Sequence, residues 1–350
     1  MKLLAISDLY VPADFFRQGL RPLAELGVEV EVRHWRHDSL TDLQQANLAI
    51  EQHGPEAVPL PAELTRDVSD VRILVVQFAP VGRRLMDAAS ALRVIGVVRG
   101  GTEGIDLALA TERNIAVLNT PGRNARAVAE CALGLILSEV RNIARSHAAL
   151  VQGNWRRNFP NSDAIPELNE KTVGLVGFGA VGRLVAHYLD ALGSRVLVFD
   201  PYLKNNPPSV TLVDLPTLLQ EADVISLHAR LTKESHHLIG RAELARMKPT
   251  AVLVNTARSG LIDEVALVEA LSKRQIMGAA LDVFDQEPLP PDSPLLALDN
   301  VTLTPHLAGS TIDAFRNSPG LMAQHLARML HGEKNLPLVN GVQPDLAAPV

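Results

Sequence analysis

Short unbroken apolar runs alternate along this chain with stretches whose apolar positions recur every three or four residues. Residues 3–7, 71–76, 92–98 and 115–118 are such runs and predict strands, with 71–76 and 92–98, between helical patterns, as central parallel strands. Residues 28–33 differ. Val28, Val30 and Val32 alternate there with Glu29, Glu31 and Arg33, the pattern of a half-exposed edge strand. Further strands are predicted at 173–176, 195–199, 223–228, 251–256, 277–283 and 301–304. Helical spacing places Val128, Ala132, Leu135, Ile136, Val140 and Ile143 on one face, which predicts a single helix over 124–150, roughly 40 Å long. Shorter helices are expected at 241–247 and 263–272, and one over 310–331 interrupted at Pro319-Gly320. Residues 153–170 and the proline-bearing tail 332–350 read as irregular, and 38–70 as polar chain with no clear element.

Strands separated by helices imply an α/β fold with doubly wound parallel sheets. The pattern makes two such units, the second nested inside the first if the last helix packs back on the N-terminal part. The expected borders are 1–120 with 311–350 for one domain and 121–310 for the other.

The best-defined stretch is 171–202. An apolar strand runs into Gly177-Phe178-Gly179-Ala180-Val181-Gly182, an amphipathic helix follows to about Leu192, and Gly193 ends it. A second strand leads to Asp200, 18 residues after Gly182. G-x-G-x-x-G in this strand–turn–helix–strand setting is a dinucleotide site. Gly177 permits the tight turn, Gly179 the approach of a pyrophosphate, and Gly182 close packing of helix on strand. The helix N-terminus offers unpaired N–H groups and the positive end of its dipole. Asp200 can hold ribose hydroxyls and repel a 2′-phosphate, which favours NAD(H) over NADP(H). Lys204 is the nearest cation that could compensate.

Composition narrows the class. Hydrophobic residues are 47% and charged residues 21% of 350, as in a soluble globular protein. A net charge of -6 and a pI near 6.0 speak against a general nucleic-acid surface. No apolar run reaches membrane-spanning length, and MKLLAISDLYVP reads as a first strand rather than a signal peptide. The lone Cys131 excludes an intrachain disulfide, suggests a reducing, cytoplasmic compartment, and reads as a small buried hydrophobe. No His/Cys/carboxylate spacing suggests a metal site.

Three polar residues each follow an apolar strand of the second unit: Arg258, Glu287 and His306. In open α/β sheets such strand ends face the ligand. Arg can clamp a carboxylate through two parallel hydrogen bonds, His can exchange a proton near neutral pH, and Glu beside His favours the imidazolium. Together they suit hydride transfer to and from a 2-keto acid.

The segments NTPGRNARAVAE (119–130), VGLVGFGAVG (173–182), DPY (200–202), ARMKPTAVLVNTARSGLIDE (245–264), GAALDVFDQEP (278–288) and TPHLAGST (304–311) resemble the D-isomer-specific 2-hydroxyacid dehydrogenases, on their phosphoglycerate dehydrogenase-like side. The resemblance implies a Rossmann NAD-binding domain inserted in a flavodoxin-like substrate domain, and an NAD-dependent dehydrogenase of D-2-hydroxy acids. It implies Arg258, Glu287 and His306 as catalytic residues. It implies cofactor contacts at Ala180, Val181, Asp200, Ala229, Thr256, Asp282 and Thr120, and a homodimer through the long-helix domain. The family's G-x-G-x-D-N-I-D substrate loop is replaced by Arg99-Gly100-Gly101-Thr102-Glu103-Gly104-Ile105-Asp106. Gly100 and Gly101 can still offer N–H groups to a carboxylate. Arg99 is expected beside them, reading a phosphorylated or polyhydroxylated tail such as that of 3-phosphoglycerate. Arg230 stands where many members carry proline, and Glu287 argues against the formate dehydrogenase branch, which has Gln there. No appended regulatory domain, hence no serine feedback, is expected. The alternative function is an NAD(H)-sensing, corepressor-like interaction protein of the same fold.

Overall fold

The computed structural model describes residues 1–161, 167–203, 205, 207–344 and 346. Lys204 and part of the 153–170 and tail segments therefore lie outside the described residues. The chain divides into two compact units, Met1–Arg123 with the chain from Ile312 on, and Asn124–Thr311.

The first unit holds a parallel sheet of β1 (Lys2–Ser7), β2 (Glu29–His34), β3 (Val71–Val76), β4 (Val94–Val97) and β5 (Ala116–Asn119), in the order β2-β1-β3-β4-β5. Central β3 is apolar throughout because both its faces are covered. Ile73 and Val75 pack with Leu3, Phe16 and Met322, while Leu74 and Val76 pack with Ile6, Leu85 and Ile95. The alternating β2 is the sheet's edge, as its pattern predicts.

Two expectations need correction here. Residues 38–70 contain a helix, Leu40–His53, started by Ser39, whose side chain accepts from the Asp42 N–H at 3.1 Å. It buries fully only Leu43 and Ile50, too few to show in the pattern. The last helix, Ile312–Leu330, is not interrupted but runs through Pro319. A helix-interior proline cannot serve the carbonyl four residues back. That carbonyl belongs to Phe315, and the Ser318 hydroxyl donates to it at 2.8 Å. The proline also fits the packing. A side chain on Gly19 of helix Ala13–Leu20 would come within 2.7 Å of Pro319.

The second unit holds β6 (Thr172–Val176), β7 (Arg195–Phe199), β8 (Thr211–Leu212), β9 (Val224–Leu227), β10 (Val252–Asn255), β11 (Gly278–Leu281) and β12 (Val301–Leu303). All pairs are parallel, in the order β12-β11-β10-β9-β6-β7-β8. The two-residue β8 was not expected. Between β6 and β9 the winding reverses, and the carboxyl end of such a switch point is where α/β sheets take their ligands.

The helix expected over 124–150 is two helices, Ala125–Val140 and Ile143–Val151. Asn142 breaks it by entering the left-handed region at φ 58, a conformation asparagine tolerates better than most residues. Its side chain accepts from Arg145 at 2.6 Å, and Arg145 also pairs with the buried Glu139, 2.6 Å away. The helix over 241–247 is one turn, Arg241–Leu244.

Candidate active site

The glycine turn leaves β6 at Gly177, which has φ +98. A Cβ there would lie 2.7 Å from the Ala229 nitrogen and the His228 carbonyl carbon. A Cβ on Gly182 would collide with the Gly177 carbonyl oxygen. Only glycines allow the turn to fold this tightly against the β9 loop. Gly179 caps helix Ala180–Ala191 with nothing near its missing side chain. Gly179 and Ala180 are exposed and Val181 is half-buried, so the helix's first N–H groups are open to a ligand. Asp200 faces the same turn. Its Oδ2 accepts from the Phe178 N–H at 2.8 Å and its Oδ1 from the Tyr202 N–H at 2.9 Å, leaving each oxygen a lone pair.

Two further groups at this edge fit a dinucleotide. Thr256, just past β10, is 6% exposed, and among the described residues its Oγ1 has no hydrogen-bond partner. His228, just past β9, has both ring nitrogens sealed and unpartnered, and burial lowers its pKa to about 4, so it is neutral. Unpaired buried polar atoms are costly and call for a partner.

The loops after three adjacent strands carry the predicted chemistry. Arg258 follows β10 and is exposed. Its Nη1 donates to the Ala257 carbonyl at 2.7 Å, and among the described residues no carboxylate pairs with it. Asn255 shapes this turn, accepting from Ala257 N–H at 3.0 Å and donating to the Arg258 carbonyl at 2.9 Å. Glu287 follows β11 and His306 follows β12. The two are in contact, His306 Nδ1 to Glu287 Oε2, at 2.7 Å. The other carboxylate oxygen of Glu287 accepts from the Phe284 N–H at 3.0 Å, which fixes its rotamer. Among the described residues, His306 Nε2 has no hydrogen-bond partner. No hydrogen bond joins Arg258 to either residue.

His306 has φ 49, a left-handed backbone that costs a non-glycine residue about 1–2 kcal/mol. Asp282 holds it there. This fully buried carboxylate accepts from the Thr304 hydroxyl at 2.6 Å, the Leu307 N–H at 3.0 Å and the Ala308 N–H at 2.9 Å. The family resemblance implies Asp282 only as a cofactor contact. Its hold on both sides of His306 is a spatial fact that no spacing reveals. Glu264 does similar work on the Glu287 loop, accepting from the Asp285 N–H at 3.1 Å.

The remaining predicted residues belong to the first unit. Thr120 is 1% exposed, and its hydroxyl is directed at the Val97 carbonyl, 3.4 Å away. The hydroxyl oxygen keeps its lone pairs for a further donor. Arg99 departs from its expectation. It is not an uncommitted cation, because Nη2 lies 2.7 Å from Glu51 Oε1 and 3.4 Å from Glu103 Oε2, and Nη1 donates to Asn47 at 3.0 Å. Glu103 also folds over Gly101, where a Cβ would meet its carboxylate, and the Gly100 carbonyl accepts from Asn119 at 2.6 Å. A further cation of this unit is Arg123, in NTPGRNARAVAE. It stacks on Phe315 at 4.9 Å. Burial and then the like charge of Arg99 lower its pKa to about 10.

Comparison with known proteins shows the family. Residues 133–308 match the family described as D-isomer specific 2-hydroxyacid dehydrogenase, NAD binding domain. A glyoxylate reductase of Thermofilum pendens is 41% identical over 288 residues, 81% of this chain and 85% of that protein. A D-3-phosphoglycerate dehydrogenase of Methanocaldococcus jannaschii is 41% identical over 79% of this chain, but the match spans only 53% of that longer protein. The NAD+-bound D-lactate dehydrogenase of Lactobacillus jensenii superimposes with a TM-score of 0.70 at 28% identity, covering 97% of this chain and 99% of that one. The chain belongs to the D-isomer-specific 2-hydroxyacid dehydrogenase family. It is an NAD-dependent oxidoreductase acting on the CH–OH group of D-2-hydroxy acids. The corepressor-like alternative gains nothing from these relatives.

Proposed function

We propose that the chain interconverts a short, polar-tailed 2-keto acid and its D-2-hydroxy acid, with Arg258, Glu287 and His306 as the reacting set. The observation that carries this reading is the 2.7 Å contact between His306 Nδ1 and Glu287 Oε2, which leaves Nε2 for the reactant. NADH, when bound, supplies the hydride to C2. His306 gives the Nε2 proton to the keto oxygen, so the C=O becomes CH–OH, and in oxidation the same nitrogen takes the hydroxyl proton back. Glu287 stabilises the imidazolium that donates. Arg258, free of carboxylate partners, holds the substrate carboxylate by two parallel hydrogen bonds. Gly177 to Val181 cradle the pyrophosphate, Asp200 takes the ribose hydroxyls, and Ala229, Thr256 and Asp282 line the nicotinamide end.

The relatives named glyoxylate reductase, hydroxypyruvate reductase and phosphoglycerate dehydrogenase frame the substrate: a two- or three-carbon acid, with or without phosphate. NADH consumption with glyoxylate, hydroxypyruvate, phosphohydroxypyruvate and pyruvate tests the reading. Turnover of none of them would overturn it.

The working form we propose is a homodimer in the cytoplasm. Helix Ile143–Val151 buries none of its residues within the chain and exposes Ile143, Leu150 and Val151. Such an apolar face is suited to a second copy. Light scattering that finds only monomer at micromolar concentration would contradict this.

A further inference from the structure

The strand that leads to His306 is lightly held. β12 is three residues long and lies at the edge of its sheet, with Val301, Thr302 and Leu303 opposite Ala279, Ala280 and Leu281 of β11. His306 is tied to its end. The Thr304 N–H donates to the Leu281 carbonyl at 3.0 Å, and the His306 N–H to the Thr304 carbonyl at 3.0 Å. A strand this short, bonded on one side, specifies its register weakly by itself. Val301 and Leu303 pack on the apolar cluster of Leu253, Ile276 and Leu281. Thr302 turns to the other face, toward helix Ala125–Val140.

There it meets Glu139, a carboxylate only 1% exposed that takes no part in the chemistry above. Glu139 Oε2 accepts from the Thr302 hydroxyl at 2.7 Å, and Oε1 pairs with Arg145 at 2.6 Å. A Cβ on Gly278, the first residue of β11, would collide with Oε1, so the sheet is notched to take the carboxylate. Burial pushes the carboxyl's pKa up, while Arg145 and the Thr302 hydroxyl hold it down. A buried ion pair is weak support for a fold, because apolar side chains of similar volume often serve as well. Its best-attested use is to fix register. A slip of β12 by one residue would turn Val301 or Leu303 to the carboxylate and remove its donor from the strand.

We propose that Glu139 is a positioning residue for the reaction: through the Thr302 hydroxyl it pins the register of β12 and so keeps the His306 ring on Glu287. The proposal rests on the role given to His306 above and extends it. Asp282 holds the loop on both sides of His306, and Glu139 holds the strand that delivers it.

The test separates position from stability, with each rate measured below the variant's melting temperature. Thr302→Val keeps the shape and removes the hydroxyl. Its kcat with NADH and glyoxylate or hydroxypyruvate is expected to fall by roughly ten- to a hundredfold, the scale of a small misplacement of a reacting group, with NADH affinity unchanged. Thr302→Ser is expected to restore the rate. A second variant, Glu139→Met with Arg145→Met and Thr302→Val, leaves no buried charge alone and is expected to melt no lower than the parent. It is nevertheless expected to be as slow as Thr302→Val. Parental kcat in either slow variant, or a Thr302→Ser enzyme as slow as Thr302→Val, overturns the proposal.

The ring nitrogens of His306 give a readout that does not need turnover. In long-range proton–nitrogen spectra, assigned by the signals lost in His306→Gln, Thr302→Val is expected to shift them in the direction that Glu287→Gln does. Thr302→Ser is expected to leave them in place. Shifted signals in Thr302→Val, with no 2-keto acid reduced by the parent, would sustain the pin and overturn the reductase reading. Reduction by the parent, with kcat and ring signals unmoved in Thr302→Val, would overturn the pin and leave the reductase reading standing. A slower Thr302→Val with unmoved ring signals also overturns the pin, since the loss then runs through another group.

Discussion

His306 Nδ1 and Glu287 Oε2 meet at 2.7 Å, joining the loops that follow β12 and β11. The contact gives the imidazole a fixed direction and a negative partner. Glu287→Gln keeps the shape and removes the charge. Reductive kcat should fall by roughly ten- to a hundredfold, below the 10²–10⁴ range typical for loss of a whole acid–base group. NADH affinity, measured by fluorescence titration, should not change. A Gln variant with parental kcat would remove Glu287 from the reaction.

Asp282 bears on the same histidine indirectly. Its two oxygens accept three hydrogen bonds from Thr304, Leu307 and Ala308, and so bracket a residue at φ 49. Asp282→Asn turns one acceptor into a donor that faces N–H or O–H groups. Turnover should drop by about tenfold or more, through displacement of His306. A double-mutant cycle decides whether the effect runs through that residue. In a His306→Gln background the Asp282→Asn penalty should largely vanish. Full additivity, with weakened NADH binding, would make Asp282 a cofactor ligand only.

The sequence made the second unit more legible than the first. The glycine turn, the acid after β7 and the three polar residues after β10, β11 and β12 all stand at strand ends, and strand ends can be read from apolar runs. What stayed hidden depends on side chains meeting in space. Asp282 under His306 and Asn255 under Arg258 are such cases. Arg99 next to glycines looked like a cation awaiting an anion, but Glu51 comes from a helix that the pattern did not show. Pro319 looked like a break because the Ser318 hydroxyl that serves its missing hydrogen bond is a packing detail. Asn142 read as mid-helix because nothing local distinguishes a left-handed asparagine from a helical one.

Cofactor choice should follow Asp200. Its oxygens are held by the Phe178 and Tyr202 N–H groups, and in the role proposed for it the carboxylate repels a 2′-phosphate. The parent should use NADH far better than NADPH by kcat/KM. Asp200→Ala should narrow that ratio, chiefly by losing NADH efficiency. Equal use of the two cofactors by the parent would contradict the role given to Asp200.

Buried Asp8 and half-buried His228, whose ring nitrogens are sealed, make stability depend on pH with opposite signs. Burial raises the Asp8 carboxyl from 3.8 to about 6, against the Val11 and Tyr10 N–H groups that hold it down. The folded state thus holds this proton more tightly than the unfolded chain. Its contribution is present at low pH and is lost as pH rises from about 4 through 6, on the order of 3 kcal/mol. Burial lowers His228 from 6.5 to about 4, so its contribution is present at neutral pH and is lost as pH falls through that window. Urea midpoints across this range should show Asp8→Asn becoming relatively more stable toward neutral pH and His228→Gln relatively more stable toward acid. Variants that track the parent at every pH would refute the assignment.

The most direct test of the account is reduction of one 2-keto acid by NADH, with chiral analysis of the product, on the parent and on His306→Gln. The account predicts NADH consumption that yields the D-2-hydroxy acid, with turnover lower by roughly 10²–10⁴ in the variant while NADH still binds. An L or racemic product, or a His306→Gln variant as fast as the parent, would contradict it.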